Sequence, residues 1–131
     1  MLNRRDFNWG AAAGAGALAA MSSETVQAAS PPSMSLNVFY PNQDGARFDM
    51  NYYRSTHIPM AMKVMKAAAV MLIEGVPNGD TPPPYVMIAH FRFASADALK
   101  AAMANPAMAD VRADVAKVTD IKPTVMLGKT L

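Results

Sequence analysis

The chain has 131 residues, of which 52% are apolar, and its formal net charge is +2. A chain of this length and hydrophobicity forms one packed domain rather than several domains or a disordered polypeptide. It has no cysteine and two histidines, which excludes disulfides, thiolate zinc sites and iron–sulfur clusters and argues against a multi-histidine metal site. The basic residues are scattered along the chain, so we expect no nucleic-acid partner.

Residues 1–28 have the pattern of a cleavable export signal. Arg4, Arg5 and Phe7 precede an alanine- and glycine-rich stretch that is too short to span a bilayer comfortably, and small residues predict cleavage after Ala28. The arginine pair resembles a bacterial twin-arginine signal, which predicts folded cargo, a periplasmic location and no membrane partner after cleavage. A Sec-type signal and an alanine- and glycine-rich tail are the alternatives.

Residues 29–33 form a predicted linker, and residues 34–131 form the predicted folded domain. Alternating apolar residues indicate strands, helical spacing begins at Asp49, and Ser95 is a predicted helix N-cap. The predicted elements are strand Met34–Tyr40, a helix from Asp49 to about Ala69, strands Val70–Val76 and Tyr85–Phe93, helices from Ser95 to about Ala104 and over about Ala107–Val115, and strand Pro123–Gly128. Their β-α-β-β-α-β order predicts an α+β, ferredoxin-like sandwich.

The strand Tyr85–Phe93 is largely apolar on both of its faces. A four-stranded sheet with helices on one face leaves its other face without a cover, and the chain is too short to supply a third layer. We therefore expect a homodimer in which the sheets of two copies face each other.

The densest group of residues able to carry chemistry surrounds His57. At helical spacing Asp49, Tyr53 and His57 lie along one stripe, and Pro59 predicts a kink or a helix that restarts near His57. An imidazole at a helix N-terminus is favoured in its neutral form, in which it can act as a general base or polarise a carbonyl group. Tyr53 or Tyr52 is its predicted hydrogen-bond partner, since a tyrosine hydroxyl can orient the ring or donate to an oxyanion.

Structural roles are the alternatives for each of these residues. A single histidine among aromatic residues can be a hydrogen-bonded packing residue, and paired tyrosines often anchor a core. His90 and Arg92 share one parity of their strand and are candidates for substrate binding, although Arg92 could instead pair with Asp97. Glu74 could act as an acid or base, but we expect it to be exposed at a strand edge.

The segment Asp49-x-x-Tyr52-Tyr53-x-x-x-His57-x-Pro59 resembles the signature of the EthD family. Three later segments also fit that family: Phe91-Arg92-Phe93, the helix around Asn105–Asp110, and the closing strand near Thr124–Leu127. The resemblance covers residues 34–131.

The resemblance implies a dimeric α+β barrel of ferredoxin-like subunits. The founder of the family is associated with ether degradation alongside a cytochrome P450 system, whereas an exported protein departs from the mostly cytoplasmic family. The wider superfamily contains cofactor-free monooxygenases, cyclases and isomerases. The motif carries over His57, Tyr53, Tyr52 and Asp49 without fixing a reaction. The first three are catalytic candidates. Asp49 is a candidate for substrate binding, although we rather expect it to cap the helix and orient its neighbours.

We therefore expect an exported homodimer that performs cofactor-free chemistry of the oxidoreductase or monooxygenase type on a small apolar or aromatic molecule. A lyase or isomerase built on the same barrel is an alternative. Two further alternatives lack turnover: a binding protein for an apolar ligand, and a structural partner of an exported enzyme. We expect neither a metal nor another cofactor.

Overall fold

The computed structural model describes residues 33–131. The predicted export signal over residues 1–28 lies outside these residues, as does the predicted linker except for Ser33. No helix within the described range is both long and apolar enough to cross a membrane.

Within residues 33–131, four strands form one sheet and three helices pack against it. The sheet order is β2-β3-β1-β4, and every neighbouring pair of strands is antiparallel. The elements are β1 (Met34–Pro41), α1 (Met50–Met65), β2 (Ala69–Glu74), β3 (Tyr85–Phe93), α2 (Ala96–Ala104), α3 (Met108–Val118) and β4 (Thr124–Lys129). This topology confirms the predicted ferredoxin-like α+β fold.

Strand β1 lies between β3 and β4, and its side chains alternate between two environments. Leu36 and Tyr40 face the helices, where they pair with Phe91 and Met87 of β3 and belong to the buried core. Each fully buried apolar side chain of this kind contributes about 1.5–3 kcal/mol to the stability of the fold. The helix-facing side of the sheet therefore holds the core, as the alternation in the sequence predicts.

Helix α1 has three parts: an α-helical turn Met50–Tyr52, a π-helical stretch Tyr53–His57 and a second α-helical part Ile58–Met65. The α-helical conformation restarts at Ile58, with His57 as its N-cap and Pro59 in its first turn, which is one of the two predicted alternatives. The π-helical turn joins this part to the first turn at Met50–Tyr52. The helix ends at Lys66, whose left-handed backbone has a φ of 54°.

The connection between α2 and α3 is fixed by Asn105. Its Nδ2 donates to the carbonyl oxygen of Val64 at 3.1 Å, and its Oδ1 accepts from the backbone amide of Ala107 at 2.9 Å. One amide side chain thus ties the end of α1 to the start of α3. The tie connects the two helices that line the cavity described below.

The side of the sheet that faces away from the helices is here called the open face. It carries large apolar side chains that remain exposed, including Met71 (59% exposed), Ile73 (47%) and Met126 (54%). Phe39 and Ile88 are cross-strand neighbours on the same face and are half-buried. The open face is therefore partly apolar, with polar side chains such as Asn37 and His90 between the apolar ones on the central strands.

Candidate functional site

A cavity of about 110 Å³ lies between the helix-facing side of the sheet and helices α1 and α3. Its wall is almost entirely apolar and includes Leu36, Phe91 and Val111. Arg112 and Val125 also line the cavity and are exposed to solvent, so they mark its opening beside β4. The volume is somewhat below the ~150 Å³ of an engineered apolar cavity that admits benzene. Because this cavity opens to solvent beside β4, a small ring compound would occupy the cavity together with its opening.

His57 lies in the wall of this cavity and is 4% exposed. Its Nδ1 is 2.8 Å from Oδ2 of Asp114, which is buried on helix α3. A carboxylate is an acceptor, so Nδ1 carries a hydrogen and donates it to Asp114. Within residues 33–131 no protein group hydrogen-bonds to Nε2 of His57, and this nitrogen is therefore the one available to a molecule in the cavity.

Asp114 also accepts a hydrogen bond from the hydroxyl of Tyr52 at 2.7 Å, through Oδ1. Lys117 contributes a longer ion pair at 3.8 Å to the same oxygen. Burial by itself would raise the pKa of Asp114, but the hydrogen bonds from His57 and Tyr52 hold that pKa below its ordinary value. The pKa of Tyr52 is raised in turn, because its hydroxyl donates a hydrogen bond to Asp114. Asp114 is therefore held as a carboxylate that orients the imidazole.

The π-helical turn explains how Tyr52 and His57 reach the same carboxylate. In a regular α-helix, residues five apart differ by about 140° around the axis and point to different sides. A π-turn closes its hydrogen bonds between residues five apart, as the amide of Ile58 does with the carbonyl oxygen of Tyr53. The hydroxyl of Ser55 donates to the carbonyl of Asn51 at 2.7 Å, which supplies a partner to that carbonyl in the widened turn.

Aromatic rings form the floor of the cavity next to the imidazole. The ring of Tyr53 stacks on His57 with a centroid separation of 5.5 Å and an angle of 16°. Tyr40 and Phe48 meet the ring of Tyr53 edge to face. This packing fixes the plane of the imidazole, because a stacked ring and a hydrogen bond at Nδ1 leave it little freedom to rotate.

The predicted partner of His57 was Tyr53 or Tyr52, and this prediction is wrong. Tyr53 stacks on the imidazole without accepting its hydrogen, and Tyr52 reaches it only through Asp114. Tyrosine hydroxyls extend too far from the backbone to bond to an imidazole one helical turn away when the rings lie face to face. The structure thus brings all three predicted catalytic residues together, with Asp114 as the centre of the group.

The three predicted substrate-binding residues lie away from the cavity. His90 and Arg92 are on the open face, where Nδ1 of His90 is 2.7 Å from Oδ1 of the buried Asn37. Asp49 is the N-cap of α1 and accepts from the amide of Tyr52 at 3.0 Å, as expected of a capping residue. Substrate binding by these three residues remains a prediction.

Glu74 is exposed near the end of the edge strand β2, as expected. Within residues 33–131, no group of three or more His, Asp or Glu side chains is placed to hold a metal ion.

Sequence reasoning missed Asp114. The residues Val111, Asp114, Val115 and Val118 share one face of α3, and a carboxylate in such an apolar stripe is a signal that could have identified it. A buried acid needs partners, and in this chain the partners are the hydroxyl of Tyr52 and the imidazole of His57.

Comparisons with known proteins agree with this architecture. The EthD domain matches residues 41–122. A solved EthD-like protein from Ralstonia eutropha JMP134 is 32% identical, with a TM-score of 0.67 over 73% of this chain and 89% of that protein. A solved EthD family protein from Bacillus halodurans C-125 is 16% identical, with a TM-score of 0.58 over 76% of this chain and 99% of that protein. None of the curated protein sequences matches this chain.

Proposed function

The chain belongs to the EthD domain family, and we propose that it is an enzyme that removes a proton from a small apolar molecule bound beside His57. The observation that carries this proposal is the 2.8 Å contact between Nδ1 of His57 and Oδ2 of Asp114 in the wall of an apolar cavity. A packing histidine can also hydrogen-bond to a buried carboxylate, but a general base further needs a ring nitrogen without a protein partner, and Nε2 of His57 meets this requirement within residues 33–131.

The geometry suits His57 to the role of general base. Asp114 fixes the tautomer with hydrogen on Nδ1, so Nε2 has the free electron pair. When Nε2 takes a proton, the imidazolium that forms lies against a carboxylate, which stabilises it. Tyr52 acts as a positioning residue, since its hydroxyl holds the other oxygen of Asp114 at 2.7 Å.

Proton removal is a first step shared by several reaction classes. The leading proposal is cofactor-free chemistry of the oxidoreductase or monooxygenase type, and a lyase or isomerase reaction would begin with the same step. We expect no cofactor, because the imidazole and carboxylate can remove the proton without one. A binding protein for an apolar ligand is the alternative, and it requires the cavity without requiring the His57–Asp114 pair.

We also propose that the working form is a homodimer joined through the open faces of two sheets. The support is the exposure of Met71, Ile73 and Met126 on the open face, since large exposed apolar side chains on one side of a sheet mark a surface for association. A second copy of the same chain supplies a self-complementary apolar cover.

Export through a twin-arginine signal to the periplasm is a further part of the proposal, and it is supported by the sequence of residues 1–28 alone. Replacing both Arg4 and Arg5 with lysine should leave the precursor in the cytoplasm. The outcome is read from the mass and location of the protein after cell fractionation, and a normally processed periplasmic variant would contradict it.

The proposed function is tested by proton exchange in D₂O, with cyclohexanone as the probe because its α-hydrogens are acidic and its six-membered ring is small. NMR should show faster loss of the α-hydrogen signal with the wild-type protein than in buffer. His57→Gln should abolish the acceleration while the circular dichroism spectrum and cyclohexanone binding are retained. Binding without any acceleration in the wild-type protein would instead favour the binding protein.

His90→Gln is the matched control for His57→Gln in the proton-exchange test. Both imidazoles are engaged through Nδ1 by a polar side chain, but His90 lies on the open face and His57 lines the cavity. Loss of exchange in His57→Gln with retention in His90→Gln places the chemistry in the cavity. Loss in both variants would support the sequence-based prediction that His90 contributes to substrate binding.

A further inference from the structure

Two tyrosines belong to the wall of the cavity, which is apolar apart from them, His57 and Arg112. Tyr40 comes from the end of β1 and Tyr53 from the π-turn of α1, and both residues line the cavity. Each is 1% exposed, so neither hydroxyl reaches bulk water. A buried hydroxyl that has no hydrogen-bond partner is unfavourable, and such groups in native proteins have an identifiable reason.

The rings of Tyr40 and Tyr53 meet edge to face with their centroids 5.7 Å apart, and each tyrosine affects the pKa of the other. Within residues 33–131, no group other than this pair is placed to hydrogen-bond with either hydroxyl. Burial is the larger effect and raises the pKa of Tyr40 to about 12, and it raises the pKa of Tyr53 as well. Both groups are therefore protonated phenols, and even where two phenols share one hydrogen bond, one O–H is left without an acceptor among residues 33–131.

We infer that the hydroxyl of Tyr40, backed by that of Tyr53, donates to an oxygen atom of the molecule that occupies the cavity, which makes the ligand class small ketones and related carbonyl compounds. The carbonyl oxygen lies at the tyrosine pair, and the apolar remainder fills the space lined by Leu36, Phe91 and Val111. This inference rests on the proposed function, since it assigns the substrate class of the same cavity.

The ring of Tyr53 stacks on His57 with a centroid separation of 5.5 Å, so the tyrosine pair adjoins the proposed base. When Nε2 of His57 takes a proton from the carbon beside the carbonyl group, the electron pair of that C–H bond forms a carbon–carbon double bond. The negative charge then lies on the carbonyl oxygen, which accepts the hydrogen bond from Tyr40. Return of a proton from His57 to the same carbon regenerates the ketone, so every atom and charge is accounted for.

The binding test compares cyclohexanone with methylenecyclohexane, in which a CH₂ group replaces the oxygen at nearly the same shape. The wild-type protein should bind the ketone more tightly. Tyr40→Phe should weaken ketone binding by about three- to tenfold and leave hydrocarbon binding unchanged, because it removes one neutral hydrogen bond. Tyr85→Phe is the matched control, since Tyr85 is exposed on β3 and does not line the cavity. The inference is overturned if the wild-type protein binds the ketone no more tightly than the hydrocarbon, or if it binds neither compound.

A second readout separates this role from a structural one. Removing an unsatisfied hydroxyl should raise the Tm of the empty protein in Tyr40→Phe, whereas removing a satisfied one should lower it. A lowered Tm therefore also overturns the inference.

The proposed function and this inference can fail separately. Proton exchange that depends on His57, without any effect of Tyr40→Phe on ketone binding, would retain the base and reject the tyrosine site. A ketone preference that depends on Tyr40, without proton exchange in any variant, would retain the tyrosine site and reject the enzyme.

Discussion

The imidazole of His57 and the carboxylate of Asp114 are 57 positions apart in the chain and 2.8 Å apart in the structure. The two residues come from different helices, and both are buried. Their contact is therefore made by the tertiary packing of α1 against α3. It is worth more than a surface contact of the same length, because little water competes for it.

Asp114→Asn should reduce the proton-exchange rate by about 10²- to 10⁴-fold while retaining the fold. The amide has nearly the same shape, but it lacks the negative charge that stabilises the imidazolium. The rate is measured by NMR with cyclohexanone in D₂O. Asp110→Asn is the control, since Asp110 is exposed on the first turn of the same helix. Equal rates in the Asp114 variant and the wild-type protein would refute the role of the carboxylate.

The stability of the fold should fall in acid partly through Asp114. Its pKa in the folded protein is below the ordinary value of 3.8, so the carboxylate binds protons less readily in the folded chain than in the unfolded one. Its contribution to the free energy of unfolding is therefore complete above that ordinary value and is lost as the pH falls through the lowered pKa.

This pH dependence can be measured by urea unfolding from about pH 6 to about pH 2 in the wild-type protein and in Asp114→Asn. The difference in unfolding free energy between the two proteins should shrink toward the acidic end. A difference that stays constant over the whole range would show that the carboxylate does not titrate as the structure implies.

Ile73→Lys should dissociate the proposed dimer. It places a charge on the open face, where each copy would bring its own lysine into an apolar interface, and the dimer dissociation constant should rise about 100-fold or more. Val76→Lys is the control, because Val76 is 71% exposed and lies beyond the end of β2. Sedimentation velocity gives the oligomeric state, and a wild-type protein that is monomeric at micromolar concentration would refute the homodimer.

Lys66→Gly should raise the free energy of unfolding by about 0.5–1 kcal/mol, because glycine adopts the left-handed backbone at the end of α1 without the steric cost that lysine incurs. The same substitution at Lys63 is the control, and it should lower stability by about 1 kcal/mol, since Lys63 lies within the helix. Thermal and urea unfolding measure both changes. A loss of stability in both variants would contradict the expected relief at residue 66.

The fold could be predicted because its strands carry two-residue alternation. The predicted limits of Tyr85–Phe93 are the observed ones, and the helix that follows is capped by Ser95 as expected. These signals are local, since each depends on residues within one turn or one strand.

The site was harder to predict because its contacts are distant in sequence. Helical spacing drew attention to Tyr53 and His57, but a five-residue π-turn produces nearly the same pattern as an α-helix over so short a stretch. Asp114 is 62 positions from Tyr52, and only the packing of α1 against α3 brings them together. His90 and His57 lie on opposite sides of the sheet. Strand parity places His90 on one of the two faces, but only the packing of the helices shows which face that is.

Two adjacent residues of strand β1 lie on opposite faces of the sheet: Tyr40 lines the cavity, and Phe39 lies on the open face. In the proposed dimer, a ligand that moves the backbone at Tyr40 would also move Phe39, because the two residues are adjacent in a paired strand. Any factor by which such a ligand changed self-association would equal the factor by which self-association changed ligand affinity.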